Sequence, residues 1–333
     1  MANLVEDLLA GNKRALARVL TRIESQKPDA NQLMTALYPH TGKAWIIGVT
    51  GAPGTGKSSL VNALTKVFRE RGKTVAIVAV DPTSPFSGGA ILGDRIRMGD
   101  HVGDTGVFIR SMATRGSLGG LARTTRDIVR VMDAAGFDYV IVETVGAGQS
   151  EVDIVRTAYT TLVIEAPGLG DDVQAIKAGI LEIADILVVN KGDRPGADQT
   201  MRSLRAMLEL GHPSTHEQLI SHHGRLLNVP DVPHSSNHET LWIPPVMKTS
   251  SVNREGIQEL VSKIEEHREH LHNSGSIALH EARSIEIELY SRLQTALVER
   301  FIASLLPEQV TDIITKIQTR VLDPQRAIEE LLA

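Results

Sequence analysis

Residues 49–60 read VTGAPGTGKSSL, and the eight from Gly51 to Ser58 fit the pattern GxxxxGK[ST] at every fixed position. An apolar run at 45–50 precedes this stretch and a helical pattern at 59–69 follows it, so the motif stands between a strand and a helix. Gly54 and Gly56 permit the backbone turns that bring successive N–H groups around an anion, and the start of the next helix adds its partial positive charge. A phosphate-binding loop is expected, with Gly51, Ala52, Pro53, Gly54, Thr55, Gly56, Lys57, Ser58 and Ser59 in contact with nucleotide. Lys57 reaches the β- and γ-phosphates in this reading, and Ser58 offers a hydroxyl oxygen to Mg²⁺.

Outward from this loop, short apolar runs at 44–50, 74–80, 106–110, 138–143, 160–165 and 185–189 alternate with helical stretches. Buried strands separated by helices imply an α/β fold with a mainly parallel sheet flanked by helices, the P-loop NTPase class. A last strand is expected at 242–248 and a helix at 254–270. The run at 185–189 ends in Asn190-Lys-Gly-Asp193, an NKxD motif at the sheet edge where open α/β folds bind ligands. The Asp193 carboxylate can accept from the N1–H and exocyclic amine of guanine, donors that adenine does not present in that arrangement. Asn190 would brace the pocket and Lys191 would lay its stem over the base. Ser250, in Lys248-Thr-Ser-Ser251, is placed for a backbone N–H to meet guanine O6.

Two strand ends carry carboxylates, Asp81 and Glu143, and Asp94 lies between them in a Gly-rich segment at 87–95. All three can face Mg²⁺ together with Ser58, directly or through water. Gly146 resembles the glycine whose N–H senses a γ-phosphate in GTP switches, and the Gly-rich segment at 87–95 is flexible enough to close over nucleotide as a switch. Phosphoryl transfer depends on positioning and charge compensation more than on a distinctive nucleophile. Lys57, Glu143 and Lys177 are the catalytic candidates, whereas Gln149 lies three residues after Gly146 instead of directly after it.

The rest of the chain bounds the function. With 42% hydrophobic and 23% charged residues, the 333-residue chain has the composition of an ordinary globular protein. A net charge of −5 with mixed signs disfavours a nucleic-acid partner, and the absence of cysteine excludes a thiolate metal cage or disulfide frame. The acidic N-terminal stretch has no basic or apolar leader pattern, and no apolar run of about 18 residues occurs, so a cytoplasmic protein off the membrane is expected. Leu4, Leu8, Leu9, Ala15, Val19, Leu20 and Ile23 mark an amphipathic helical stretch over 3–24. Near the other end Ile285, Leu289, Leu293, Leu297 and Phe301 step by four along one helix face, followed by a second stretch interrupted at Pro307 and Pro324. That face either folds back on the sheet or forms a subunit interface. The segment 211–241 lacks periodicity and holds His212, His216, His222, His223, His234 and His238, so it reads as a surface loop.

Taken together, VTGAPGTGKSSL at 49–60, VDPTSPFSGGAILGDR at 80–95, IRSMATRGSLGG at 109–120, ETVGAGQSEV at 143–152, APGLGDDVQAIKAGI at 166–180 and NKGD at 190–193 resemble the cobalamin-linked GTPases of the MeaB/ArgK type, relatives of the methylmalonic aciduria type A protein. The resemblance covers nearly the whole chain. It implies an N-terminal helical extension at 1–43, a GTPase core at 44–272 and a C-terminal helical dimerisation arm at 273–333. It further implies a homodimer, GTP or GDP as bound nucleotide, and an adenosylcobalamin-dependent acyl-CoA mutase as the partner whose cofactor loading is gated. By the same resemblance Asp81, Asp94 and Glu143 join Ser58 around the metal, and 168–179 is a third mobile switch carrying Lys177. The histidine-rich 211–241 departs from that pattern. A nickel-delivering GTPase and a kinase of a transport protein are the alternatives.

Overall fold

The computed structural model describes residues 2–81, 101, 103–113, 118–144, 158–168, 183–210 and 242–332. The segment 211–241, expected as a surface loop and holding six of the histidines, lies outside them. Among the described residues, β1 (Trp45–Gly51), β2 (Val75–Asp81), β3 (Val107–Ala113), β4 (Tyr139–Thr144), β5 (Thr160–Glu165), β6 (Ile186–Val189) and β7 (Val246–Lys248) form one sheet in the order β3-β2-β4-β1-β5-β6-β7. Every pairing is parallel. Parallel strands are covered on both faces, which is why β4 and β6 are buried throughout and, up to the Glu143-Thr144 end of β4, read as apolar runs.

The two faces divide by residue parity. Ala76, Val78, Val140 and Val142 face a core made with α1 (Ala2–Leu9), α2 (Lys13–Glu24), α3 (Ala30–Leu37) and, after α4 (Lys57–Glu70) in chain order, α5 (Leu118–Ala134). Val75, Ile77, Tyr139 and Ile141 face the opposite core, with Leu60, Leu64 and Phe68 of α4 and Leu260 and Ile264 of α7 (Ile257–Ser274). A smaller core packs Val163, Leu187 and Val189 against Ala197 and Leu204 of α6 (Ala197–Leu210). The N-terminal helices therefore complete one face of the sheet.

Three boundaries differ from the sequence expectation for local reasons. The stretch over 3–24 is two helices, because Gly11 turns through φ +84° and the Asn12 side chain accepts from the N–H of Arg14 (2.9 Å) and Ala15 (3.2 Å), capping α2. The last strand begins at Val246 instead of 242, since Pro244 and Pro245 have no N–H to give a ladder. The helix expected from 254 starts at Ile257, after Gly256 at φ +70°.

The junction into β1 hangs on one carboxylate. Asp133 near the end of α5 is 5% exposed and accepts from the N–H groups of Gly42, Lys43 (3.0 Å) and Ala44 (2.8 Å). Asp133→Ala leaves the buried Ala44 donor and the part-buried Gly42 and Lys43 donors without an acceptor and is expected to lower unfolding stability by about 2 kcal/mol. Urea melts check this, and a loss below about 1 kcal/mol would refute the role.

The chain divides into two compact units, Met1–Glu281 and Ala282–Ala333. α7 ends at Gly275 in the left-handed region (φ +76°), and α8 (Ser276–Ser304) follows at once. The second unit holds most of α8 with α9 (Pro307–Gln318) and α10 (Pro324–Leu332). Both prolines open helices instead of breaking one, at the position where a missing N–H costs least. Within this unit Ile285, Leu289, Leu293 and Leu297 are exposed, Leu289 at 63%. Among the described residues no helix is long and apolar enough to cross a membrane.

Candidate functional site

The strand order sets the site. β1 lies between β4 and β5, so the loop leaving β1 has the ends of both neighbours beside it. Gly51 closes β1 at φ +143°, and a Cβ there would stand 2.1 Å from the Ile164 carbonyl oxygen of β5. Only glycine fits that approach. Gly56, at φ +90°, leads into α4, and a Cβ on it would meet the Asn190 amide nitrogen at 2.6 Å. The loop is thus pinned against both β5 and the NKxD segment.

Lys57 is 6% exposed and its ammonium donates to the carbonyls of Gly51 (2.8 Å) and Ala52 (3.0 Å). The register of β1 and β4 sets Val49 level with Glu143, and the Ser58 hydroxyl donates to Glu143 Oε1 at 2.6 Å. Two hard oxygen donors from separate elements therefore meet beside the phosphate loop. Such donors suit Mg²⁺, which takes few protein ligands together with phosphate oxygens and water. Asp94, Gly146 and Lys177, and the side chain of Asp81, lie outside the described residues.

At the end of β6, Asn190 is 1% exposed and joins three segments. Its amide nitrogen donates to the carbonyls of Thr55 (3.0 Å) and Gly56 (3.2 Å), and its carbonyl oxygen accepts from the Ser251 hydroxyl at 2.9 Å. Lys191 takes a left-handed backbone (φ +56°) and turns its ammonium onto the Gly54 carbonyl, which lays its stem along the phosphate loop. Asp193 accepts from the Ser250 hydroxyl at 2.6 Å, and this bond holds its carboxyl below the usual range. The Ser250 N–H is engaged elsewhere, donating to the Glu255 carbonyl at 3.0 Å, so it is the Ser250 side chain that serves the NKxD segment.

Two contributors escaped the sequence reading. Ser251 holds Asn190, a pairing between residues sixty-one apart that no local pattern carries. Glu165 ends the otherwise uncharged β5, and burial pushes its carboxyl up to about 7 against the opposing pull of Lys57. A lone acid at the end of an apolar strand was the available signal. Among the described residues no group of three or more histidine or acidic side chains is arranged to hold a metal by itself.

Comparison with known proteins agrees with this geometry. The family model described as methylmalonyl-CoA mutase-associated GTPase MeaB matches residues 16–305. A Pyrococcus abyssi protein assigned to the GTPases by name is 44% identical over 329 residues, covering 99% of this chain and 95% of its own. The mitochondrial methylmalonic aciduria type A homolog of Caenorhabditis elegans is 32% identical over 82% of this chain and 67% of its own. The crystal structure of a LAO/AO transport system kinase superposes with a TM-score of 0.69 over 99% of this chain and 95% of that one; at 24% identity it supports the fold. A phosphate loop braced by an NKxD asparagine on a parallel sheet, matched over most of its length by one family model, makes this chain a GTPase of the MeaB family.

Proposed function

We propose that this protein is a Mg²⁺-dependent GTP hydrolase acting as a G-protein chaperone of an adenosylcobalamin-dependent acyl-CoA mutase of the methylmalonyl-CoA mutase type, gating cofactor loading and protecting or reactivating that enzyme. The nucleotide half is carried by one observation: Asn190 ties the phosphate loop at Thr55 and Gly56 to the segment that holds Asp193. Phosphate and base recognition are then parts of one rigid edge. The mutase half is supported by the family's description and by the methylmalonic aciduria type A relative.

In this reading the N–H groups of residues 51–59 surround the phosphates, and Lys57 leaves the Gly51 and Ala52 carbonyls to bridge the β- and γ-phosphates. Asp193 accepts from the guanine N1–H and amine, Lys191 covers the base, and Asn190 and Ser250 keep both in place. Ser58 and Glu143 would hold the Mg²⁺, and Asp81 and Asp94 would complete the oxygen set. When bound, the ion supplies charge compensation for the phosphate oxygens. Water attacks the γ-phosphorus and the bond to the β-bridging oxygen breaks, giving GDP and phosphate. Gly146 senses the γ-phosphate, and Lys177 on the third switch answers to the partner. Exposed Ile285, Leu289, Leu293 and Leu297 support a homodimer through the C-terminal arm, and a monodisperse monomer in solution would sink that part.

The test is GTP turnover with and without adenosylcobalamin-dependent acyl-CoA mutases, with ATP as the nucleotide control. GTP-specific stimulation by one mutase is expected. Slow turnover that no mutase alters would overturn the chaperone role and leave the GTPase standing.

A further inference from the structure

The place of Asp193 depends on how the segments 190–193 and 248–251 are held together. The Ser250 hydroxyl joins them by its bond to Asp193 at 2.6 Å. Beside it the Gly192 N–H donates to the Thr249 carbonyl (2.8 Å), and the Thr249 N–H donates to the Val189 carbonyl (2.9 Å). The variable position of NKxD, in the middle of this junction, is a glycine. Gly192 does not take a left-handed backbone, so its requirement is one of room and not of conformation.

Lys248 takes that room. A Cβ on Gly192 would stand 2.7 Å from Lys248 Cγ, 3.3 Å from its Cδ and 3.0 Å from the Thr249 carbonyl oxygen. The lysine stem therefore lies directly over Gly192. Its root cannot back away, because Lys248 pairs with Val189 in the sheet and a Cβ on Gly256 would come within 2.2 Å of the Lys248 carbonyl oxygen. The far end is tethered too: the ammonium donates to Asp198 Oδ1 at 2.8 Å, in the first turn of α6. Both members of that ion pair are exposed, so the pair contributes little by itself, and the apolar stem is what bears on the turn.

We propose that Lys248 is a positioning residue for guanine recognition: its stem, laid over Gly192, holds the NKxD turn against the end of β7 and so sets where the Asp193 carboxylate stands. The inference rests on the base site proposed above and names the contact that tunes it. Guanine offers the carboxylate its N1–H and exocyclic amine, whereas hypoxanthine offers the N1–H alone. A displaced turn thus weakens GDP more than inosine diphosphate. The ratio of the two affinities reports the place of the carboxylate, and a general loss of stability leaves that ratio unmoved.

The experiment is titration of the full chain with GDP and with inosine diphosphate, each with Mg²⁺. Wild type is expected to prefer GDP by about tenfold or more, the worth of one hydrogen bond to a charged acceptor. Gly192→Ala, whose methyl needs the space of the stem, should cut that ratio about fivefold, and Lys248→Ala, which leaves the turn unbacked, about threefold. Adding Lys248→Ala to Gly192→Ala should raise the ratio again, because the methyl then fills the vacated room; opposite signs in the two backgrounds mark direct packing. Lys248→Met keeps the stem without the charge and should keep the wild-type ratio. An unchanged ratio in Lys248→Ala overturns the proposal whether or not Gly192→Ala folds. So does a double variant no better than Gly192→Ala, or a loss in Lys248→Met equal to that in Lys248→Ala, which would put the effect on the Asp198 pair. Those outcomes leave Asp193 as the base acceptor, whereas equal affinity of wild type for both nucleotides would remove the base site itself.

Discussion

Lys57→Ala is expected to weaken GTP and GDP binding by about 10²–10³-fold and to lower turnover at saturation by a similar factor. The ammonium is buried at 6% exposure and already gathered against the loop by the Gly51 and Ala52 carbonyls, so little ordering remains when phosphate replaces them. Its loss removes the side-chain charge nearest the β/γ bridge, where negative charge grows as the bond breaks. Of the two carbonyls it leaves behind, that of Ala52 belongs to an exposed residue and only that of Gly51 is buried, so the fold should tolerate the change with a modest drop in melting temperature. Fluorescent-nucleotide titration and phosphate release, made well below that temperature, separate the two effects. Affinity within threefold of wild type would refute the assignment of the loop.

Asp193→Asn should reverse base preference. The carboxylate accepts from two donors on guanine, and an amide in its place turns one acceptor into a donor facing the guanine amine. Xanthine carries an oxygen at that position and accepts instead. GTP affinity is expected to fall by about a hundredfold or more while xanthosine triphosphate gains, since a site built for one hydrogen-bond pattern rejects its complement strongly. The Ser250 hydroxyl that donates to Asp193 Oδ1 can turn to meet the amide oxygen, so the local scaffold survives. Competition between the two nucleotides gives the answer directly, and an unchanged preference for GTP would remove Asp193 from the base site.

How much of this was legible in the chain follows from the range of the forces involved. The strands showed because a parallel sheet is buried on both faces, so 139–142 and 186–189 are apolar at every position. The phosphate loop and NKxD showed because each performs its chemistry within eight residues or fewer. The break in the first helix did not, although Gly11-Asn12 is a stop and a cap, because the apolar spacing continues across it. The start of the last strand did not show either, because Trp242 and Ile243 extend its apolar composition across Pro244 and Pro245, which have no N–H for a ladder.

Contiguous residues carry the alternation of strand and helix, the loop chemistry at Gly51–Ser58, the acceptor at Asp193 and the class of ligand, so each of these can be read along the chain. Tertiary structure alone decided that β4 lies beside β1, which brings Glu143 to Ser58 across 85 positions, that Ser251 holds Asn190, and that Glu165 ends within reach of the Lys57 charge. Strand order is a global property of how helices cover two faces. No local window contains it, and the carboxylates it delivers acquire their roles only once that order places them.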